Sequence, residues 1–147
     1  MSLAIALARE AAEAGEVPVG CVIADSSGTV IGRGRNRRME KHDATAHAEI
    51  EALREACAAL GDWRLDGCTM FVTLEPCPMC AGAILMSRLS TLVFGAREPL
   101  TGSVGSVIDL FSERYGHSPA VFVGVRGEEC TALMKAFFTG KRAPGNS

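Results

Sequence analysis

The chain has 147 residues, 48% hydrophobic and 22% charged, with a formal net charge of −2. This composition suits one globular domain with a core of its own, and no apolar run approaches the length of a membrane span, so no membrane partner is expected. Six cysteines without a signal-peptide pattern argue for a reducing, cytoplasmic setting and against a disulfide framework.

In chain order, Leu3 to Ala14 reads as a helix stopped by Gly15. Val19 to Ala24 and Thr29 to Gly34 read as strands of a hairpin around Asp25-Ser26-Ser27-Gly28. A helix headed by His47 follows. Its expected apolar stripe is Ile50, Leu53, Cys57 and Leu60, it ends near Gly61, and Trp63 is expected to pack at its end. Thr69 to Leu74 is a β-rich run leading into Pro76 and Cys77. Pro76 suits a first helical position, which places Cys77 and Cys80 in the first turn of a helix ending at Ser87. Thr91 to Gly95 is the next strand. Gly102-Ser103-Val104-Gly105-Ser106 lacks the lysine of a phosphate-binding loop and reads as a flexible loop, so no nucleotide cofactor is expected. His117 reads as a surface loop residue. Ala120 to Val125 is the last strand, before a helix from about Glu128 to Phe138. The pattern predicts one α/β domain over residues 1–142 and a flexible tail over 143–147. A central mixed sheet of about five strands, with helices on both faces, fits this order. Both His47 and the cysteine pair then meet at one end of the sheet.

His47, Cys77 and Cys80 can hold one zinc ion with three protein ligands, leaving a fourth tetrahedral position for water. The helix start favours thiolate, the form that binds metal. In a regular helix His47 and Glu49 point about 200° apart, at roughly 100° per residue. That spacing gives them different tasks: His47 on the metal, Glu49 on the protons of the water and substrate. Bound zinc lowers the pKa of its water from about 15.7 toward about 7. The hydroxide can attack an aromatic carbon bearing an amino group, with Glu49 as general acid and base. Two other readings stay open. A closed zinc knuckle needs a fourth ligand, for which Cys21, Cys57, Cys68, Cys130, His42 and His117 are available, and it gives Glu49 no task. A redox Cys-x-x-Cys leaves both His47 and Glu49 unexplained. The remaining four cysteines read as small core residues.

The His-x-Glu and Pro-Cys-x-x-Cys pair resembles the signature of zinc nucleobase deaminases. More of the chain resembles bacterial tRNA-specific adenosine deaminases. The matching segments are Glu16-Val17-Pro18-Val19-Gly20, Gly34-Arg35-Asn36, His42 through Ile50, Val72 through Ala83, Phe94-Gly95-Ala96, Gly102 through Ser106, and Phe137-Phe138. The resemblance implies a three-layer α/β/α cytidine-deaminase-like fold. It also implies hydrolysis of adenosine to inosine at the wobble position of a tRNA anticodon. Carried over by residue, it makes His47, Cys77 and Cys80 the zinc ligands and Glu49 the proton shuttle. Asn36 becomes the residue that hydrogen-bonds the flipped base, although a loop asparagine bonding its own backbone is an equal reading of that position. Val17, Pro18 and Ala48 would wall the base pocket. The family commonly has Asp-Pro-Lys where this chain has Glu98-Pro99-Leu100, which keeps a carboxylate and loses a cation.

Net charge does not suggest a nucleic-acid partner, but local charge does. Five cations, Arg33, Arg35, Arg37, Arg38 and Lys41, stand against Glu40 between residues 33 and 42. A basic patch beside a site is what phosphate contact requires, and a solvated charged loop is the plainer reading. Phe138, near Lys135, Lys141 and Arg142, is a candidate for stacking on a base; paired phenylalanines are otherwise core. The helix carrying Met79, Ala81, Ala83, Ile84, Leu85 and Met86 is apolar almost all round. It therefore needs cover on two sides, which a homodimer or the final helix could supply. The competing functions are a deaminase of a free base or nucleoside, and a non-catalytic zinc-stabilised RNA-binding module.

Overall fold

A computed structural model describes residues 1–142. The elements run α1 (Ser2–Glu13), β1 (Gly20–Ala24), β2 (Val30–Arg35), α2 (Arg38–Lys41), α3 (Ala48–Leu60), β3 (Thr69–Leu74), α4 (Pro78–Met86), β4 (Thr91–Ala96), a 3₁₀ turn (Leu110–Ser112), β5 (Ala120–Val123) and α5 (Gly127–Arg142). The five strands form one sheet in the order β2-β1-β3-β4-β5. β1 is antiparallel to both β2 and β3, whereas β3, β4 and β5 are parallel. The sheet is therefore mixed, as the sequence predicts. The expected tail over 143–147 lies outside the described residues.

Helices α1 and α5 cover one face and α3 and α4 the other, which makes three layers. The layers approach closely because glycines lie under alanines. The β1–β2 register pairs Cys21 with Gly34 and Ile23 with Gly32, so these four residues face α3 together. α3 meets them with Ala48, Ala52 and Ala56, all buried. A side chain at Gly34 would run into the Ala48 carbonyl and come within 2.7 Å of the Ala52 nitrogen. The predicted stripe on this helix is thus corrected. Leu53 is buried, but Ile50 and Cys57 are half-buried and Leu60 is exposed, because alanines let the helix sit tight on the glycine strand. Across the sheet Gly20 packs in the same way against Ala4 and Ala8 of α1. The main core lies on the α3 side, built from residues such as Met70, Val72, Ile84, Leu92 and Phe94.

Other details also differ from expectation. Helix α4 begins two residues later than predicted, with Cys77 as the residue before it and Pro78, not Pro76, in its first turn. Trp63 is exposed, with the Arg64 guanidinium 5.5 Å from its ring, rather than packed on the end of α3. His117 is half-buried, its Nε2 2.9 Å from the Leu89 carbonyl oxygen. Cys21, Cys68 and Cys130 are core residues, while Cys57 is half-buried, and all six cysteines are free. The residues 102–106 do not form a loose loop. Gly102, Ser103 and Val104 are buried, and Ser103 donates its N–H to the Pro76 carbonyl at 2.9 Å. Among the described residues, no helix is long and apolar enough to cross a membrane.

Candidate active site

His47 is the residue just before α3 and Cys77 the residue just before α4, both in extended backbone. Cys80 lies in the first turn of α4. Neither His47 nor Cys77 is inside a helix, so the angular argument for a regular helix does not apply to them; capping positions aim the two side chains instead. The β3–α4 connection and the head of α3 bring the three together. His47 Nδ1 lies 3.7 Å from Cys77 Sγ and 3.6 Å from Cys80 Sγ. The three donor atoms all fall within 4.8 Å of one another.

This donor set fits zinc. Bonds of roughly 2.0–2.3 Å at tetrahedral angles separate nitrogen and sulfur donors by about 3.5 Å, close to the spacing found. Among the described residues no fourth cysteine, histidine or carboxylate joins the group, which argues against a closed knuckle. The thiols share charge unequally. The hydrogen bond from Cys80, helped by one with His47, pulls the Cys77 thiol down to about 4, a thiolate at neutral pH. Its bond to Cys77, together with burial, pushes the Cys80 thiol up. The bond to Cys77 raises the His47 pKa, against the effect of burial.

A cleft of about 410 Å³ opens over this group. Glu49 lines it from the first turn of α3, and burial raises its pKa above the ordinary carboxylate value. Of the residues predicted to bind substrate, Asn36, Arg38, Ala48, Glu98 and Phe138 line the cleft. Asn36 is buried, and its Oδ1 accepts the Arg38 N–H at 3.4 Å, so it bonds its own backbone while facing the cleft. The backbone-bonding reading of that residue is seen directly, and its place at the cleft leaves the base contact as an expectation.

Val17 and Pro18 do not line the cleft. Pro18 is fully buried, Val17 packs on the core, and the wall is supplied by Val19. Arg35 and Arg37 also lie elsewhere, on a separate surface groove with Arg33 and Lys41. Both are paired with Glu40, at 2.9 and 2.6 Å. The Arg35 and Arg37 guanidiniums hold the Glu40 carboxyl below its ordinary pKa. Lys41 pairs with Glu51 at 2.9 Å. Arg38 makes no ion pair among the described residues and is the cation of this segment that reaches the cleft.

Leu100, the position where the sequence departs from the family by losing a cation, also lines the cleft, and Leu74, Glu75 and Thr101 complete the lining without having been assigned a role from sequence. For Glu75 a signal existed: a carboxylate placed directly before Pro76 and Cys77.

Residues 1–96 match the family model of the cytidine and deoxycytidylate deaminase zinc-binding region. The chain is 48% identical over 139 residues to the tRNA-specific adenosine deaminase of Bacillus subtilis, covering 94% of this chain and 86% of that protein.

The chain belongs to the zinc-dependent cytidine and deoxycytidylate deaminase family, with the tRNA-specific adenosine deaminases.

It is also 49% identical over 138 residues to the tRNA(Ile)-lysidine synthase of Deinococcus radiodurans, covering 94% of this chain. There it spans only 24% of the longer protein, about a quarter of that relative. Among solved structures, one from studies of A-to-I editing by tRNA:A34 deaminases superposes with a TM-score of 0.87 at 46% identity, covering 90% of this chain and 96% of that one. A guanine deaminase of Nitrosomonas europaea gives 0.82 at 26% identity, covering 94% and 82%. The fold is thus shared with enzymes of free bases, and the closeness of sequence lies with the tRNA enzymes.

Proposed function

We propose that this deaminase converts adenosine to inosine by hydrolysis at the wobble position of a tRNA anticodon, with one zinc ion per chain. The observation that carries the reading is the meeting of His47, Cys77 and Cys80 with a buried glutamate in one open cleft. Support for the RNA substrate comes from the high identity to tRNA-specific adenosine deaminases over most of the chain. When bound, zinc supplies a Lewis acid that acidifies water at neutral pH. The chain's own groups do the rest. Glu49, with its raised pKa, accepts a proton from the attacking water and passes it to the purine ring nitrogen, then carries a second proton, from the hydroxyl added to the ring carbon, to the departing ammonia. Asn36 offers an amide to the purine edge. Ala48 is small enough to leave room for the base, and Val17 and Pro18 act from behind the wall, through Val19.

Around the base, Arg38 meets a phosphate, Phe138 offers a ring for a neighbouring base, and Glu98 and Leu100 form the opposite lip. Arg35 and Arg37, shared with Glu40, serve as a second rank of cations for the stem. Free thiols throughout agree with a cytoplasmic location. A homodimer completes the reading. Helix α5 lies across the sheet from α4, so the final helix does not cover the outer side of α4. Met79, Gly82, Ala83 and Met86 stay partly or fully accessible there, and their spacing puts them on one stripe. A second copy of the chain would bury it.

The test is turnover of an anticodon stem-loop with adenosine at the wobble position, beside free adenosine, guanine and cytidine, with inosine and ammonia measured. We expect the stem-loop to exceed the free compounds by at least a hundredfold in kcat/KM, since distant phosphate contacts orient the reacting base. Equal or better turnover of a free base would instead place this chain with the small-molecule deaminases.

A further inference from the structure

The Glu75 side chain is fully buried, although it is a carboxylate at the edge of a cleft open to solvent. Its partners explain the burial. Oε1 accepts the Glu98 N–H at 3.1 Å and a short bond from the Ser106 hydroxyl. Oε2 accepts the N–H groups of Val104 at 3.0 Å and Ser106 at 3.1 Å. Arg97 approaches to 3.8 Å. Every one of these donors lies on a single segment, residues 97–106. That segment carries Glu98, Leu100 and Thr101, which form the lip of the cleft facing Asn36 and Arg38. Leu100 is 83% exposed at the tip of the lip, and the segment becomes buried only at Gly102, Ser103 and Val104, where it meets Glu75. Gly102 lies so close to the carboxylate that a side chain there would overlap Glu75 and the Glu98 carbonyl.

We infer that Glu75 is a positioning residue: its carboxylate sets the 97–106 segment as a preformed lip that receives the substrate RNA. The inference rests on the cleft being the RNA site. His47 and Glu49 are held at the head of α3 and Cys80 in α4, and none of the clamp's hydrogen bonds reaches them; Glu75 lies in the β3–α4 connection two residues before Cys77, so zinc content is read beside the kinetics. Losing the clamp therefore removes binding shared by ground and transition state, which raises KM and leaves kcat nearly unchanged. A glutamine keeps the shape but must turn an NH₂ toward one of the two sets of donors, so one side of the clamp becomes repulsive.

The experiment measures kcat and KM on the anticodon stem-loop, with zinc content and thermal stability, for wild type, Glu75→Gln, Gly102→Ala and the double variant. Gly102→Ala reaches the same contact from the loop side and keeps the proposal testable should Glu75→Gln fold poorly. Each single variant is expected to hold one zinc per chain, raise KM at least tenfold and change kcat less than threefold. The double variant is expected to be no worse than the more severe single one, because both break one contact. An unchanged KM in both singles, or a fall in kcat that follows zinc loss, overturns the clamp. A wild-type enzyme inactive on the stem-loop overturns the underlying RNA reading instead, and the two failures are told apart by that control.

Discussion

Glu49 carries two burdens that pull against each other. The residue is only 4% exposed, and burial disfavours its charged form. A chain that needed only a stable helix would place an alanine there, as it does at Ala48, Ala52 and Ala56. Glu49→Ala should therefore keep the fold and one zinc per chain while losing turnover by about a thousandfold or more, the range for removal of a positioned acid–base group with metal-dependent chemistry. Metal analysis alongside inosine release on the stem-loop checks this; normal deamination by the variant removes Glu49 from the proton path. The basic segment shows a different effect at this scale. Sequence groups Arg35, Arg37 and Arg38 together, yet Glu40 occupies the first two and leaves Arg38 at the cleft.

Between elements, the decisive contact is α3 on β2. His47 heads α3, and Glu49 stands in its first turn, so the height of that helix above the sheet sets the height of the site. Gly32 and Gly34 fix this height, with nothing between strand and helix but backbone and alanine methyls. Gly34→Ala would force α3 outward by overpacking, which typically costs about 1–3 kcal/mol or more when the obstacle is backbone. It should lower the midpoint of denaturation and reduce turnover together, because His47 and Glu49 move with the helix. Chemical denaturation and stem-loop kinetics on one preparation would show both; a variant with wild-type stability would mean that the helix can shift without strain.

For the molecule as a whole, the open side of α4 matters most. Gly82 sits in the middle of the accessible stripe, and a side chain there meets nothing within 4 Å in the single chain. Gly82→Arg should thus be neutral or better for the fold, since glycine is a poor helix former, by roughly 0.8–1.0 kcal/mol against alanine. In a dimer packed on this stripe the same change places a charged side chain in the interface. Light scattering at micromolar concentration is expected to give about two chain masses for the wild type and one for the variant, with zinc content unchanged. A variant that remains a dimer would move the interface off α4.

The sequence alone determined the metal group and the order of elements. Turn residues, hydrophobic period and the spacings inside His47-x-Glu49 and Cys77-x-x-Cys80 are local properties, and the joining of those two motifs across thirty positions came from the resemblance to the zinc deaminases. His47, Glu49, Cys77 and Cys80 were therefore legible, as were the five strands, with α2 and the 3₁₀ turn too short to leave a pattern. Tertiary structure decided what depends on pairs distant in the chain. The Cys21–Gly34 register, and not helix periodicity, selected alanines for the buried side of α3. Glu40 divided the cations into paired and available ones. Val19 took the place at the cleft expected of Val17 and Pro18. Residues 102–106, glycine-rich and seemingly loose, were fixed by a carboxylate nearly thirty positions earlier. Composition reports a segment's own freedom, and only the fold reveals which partner removes it.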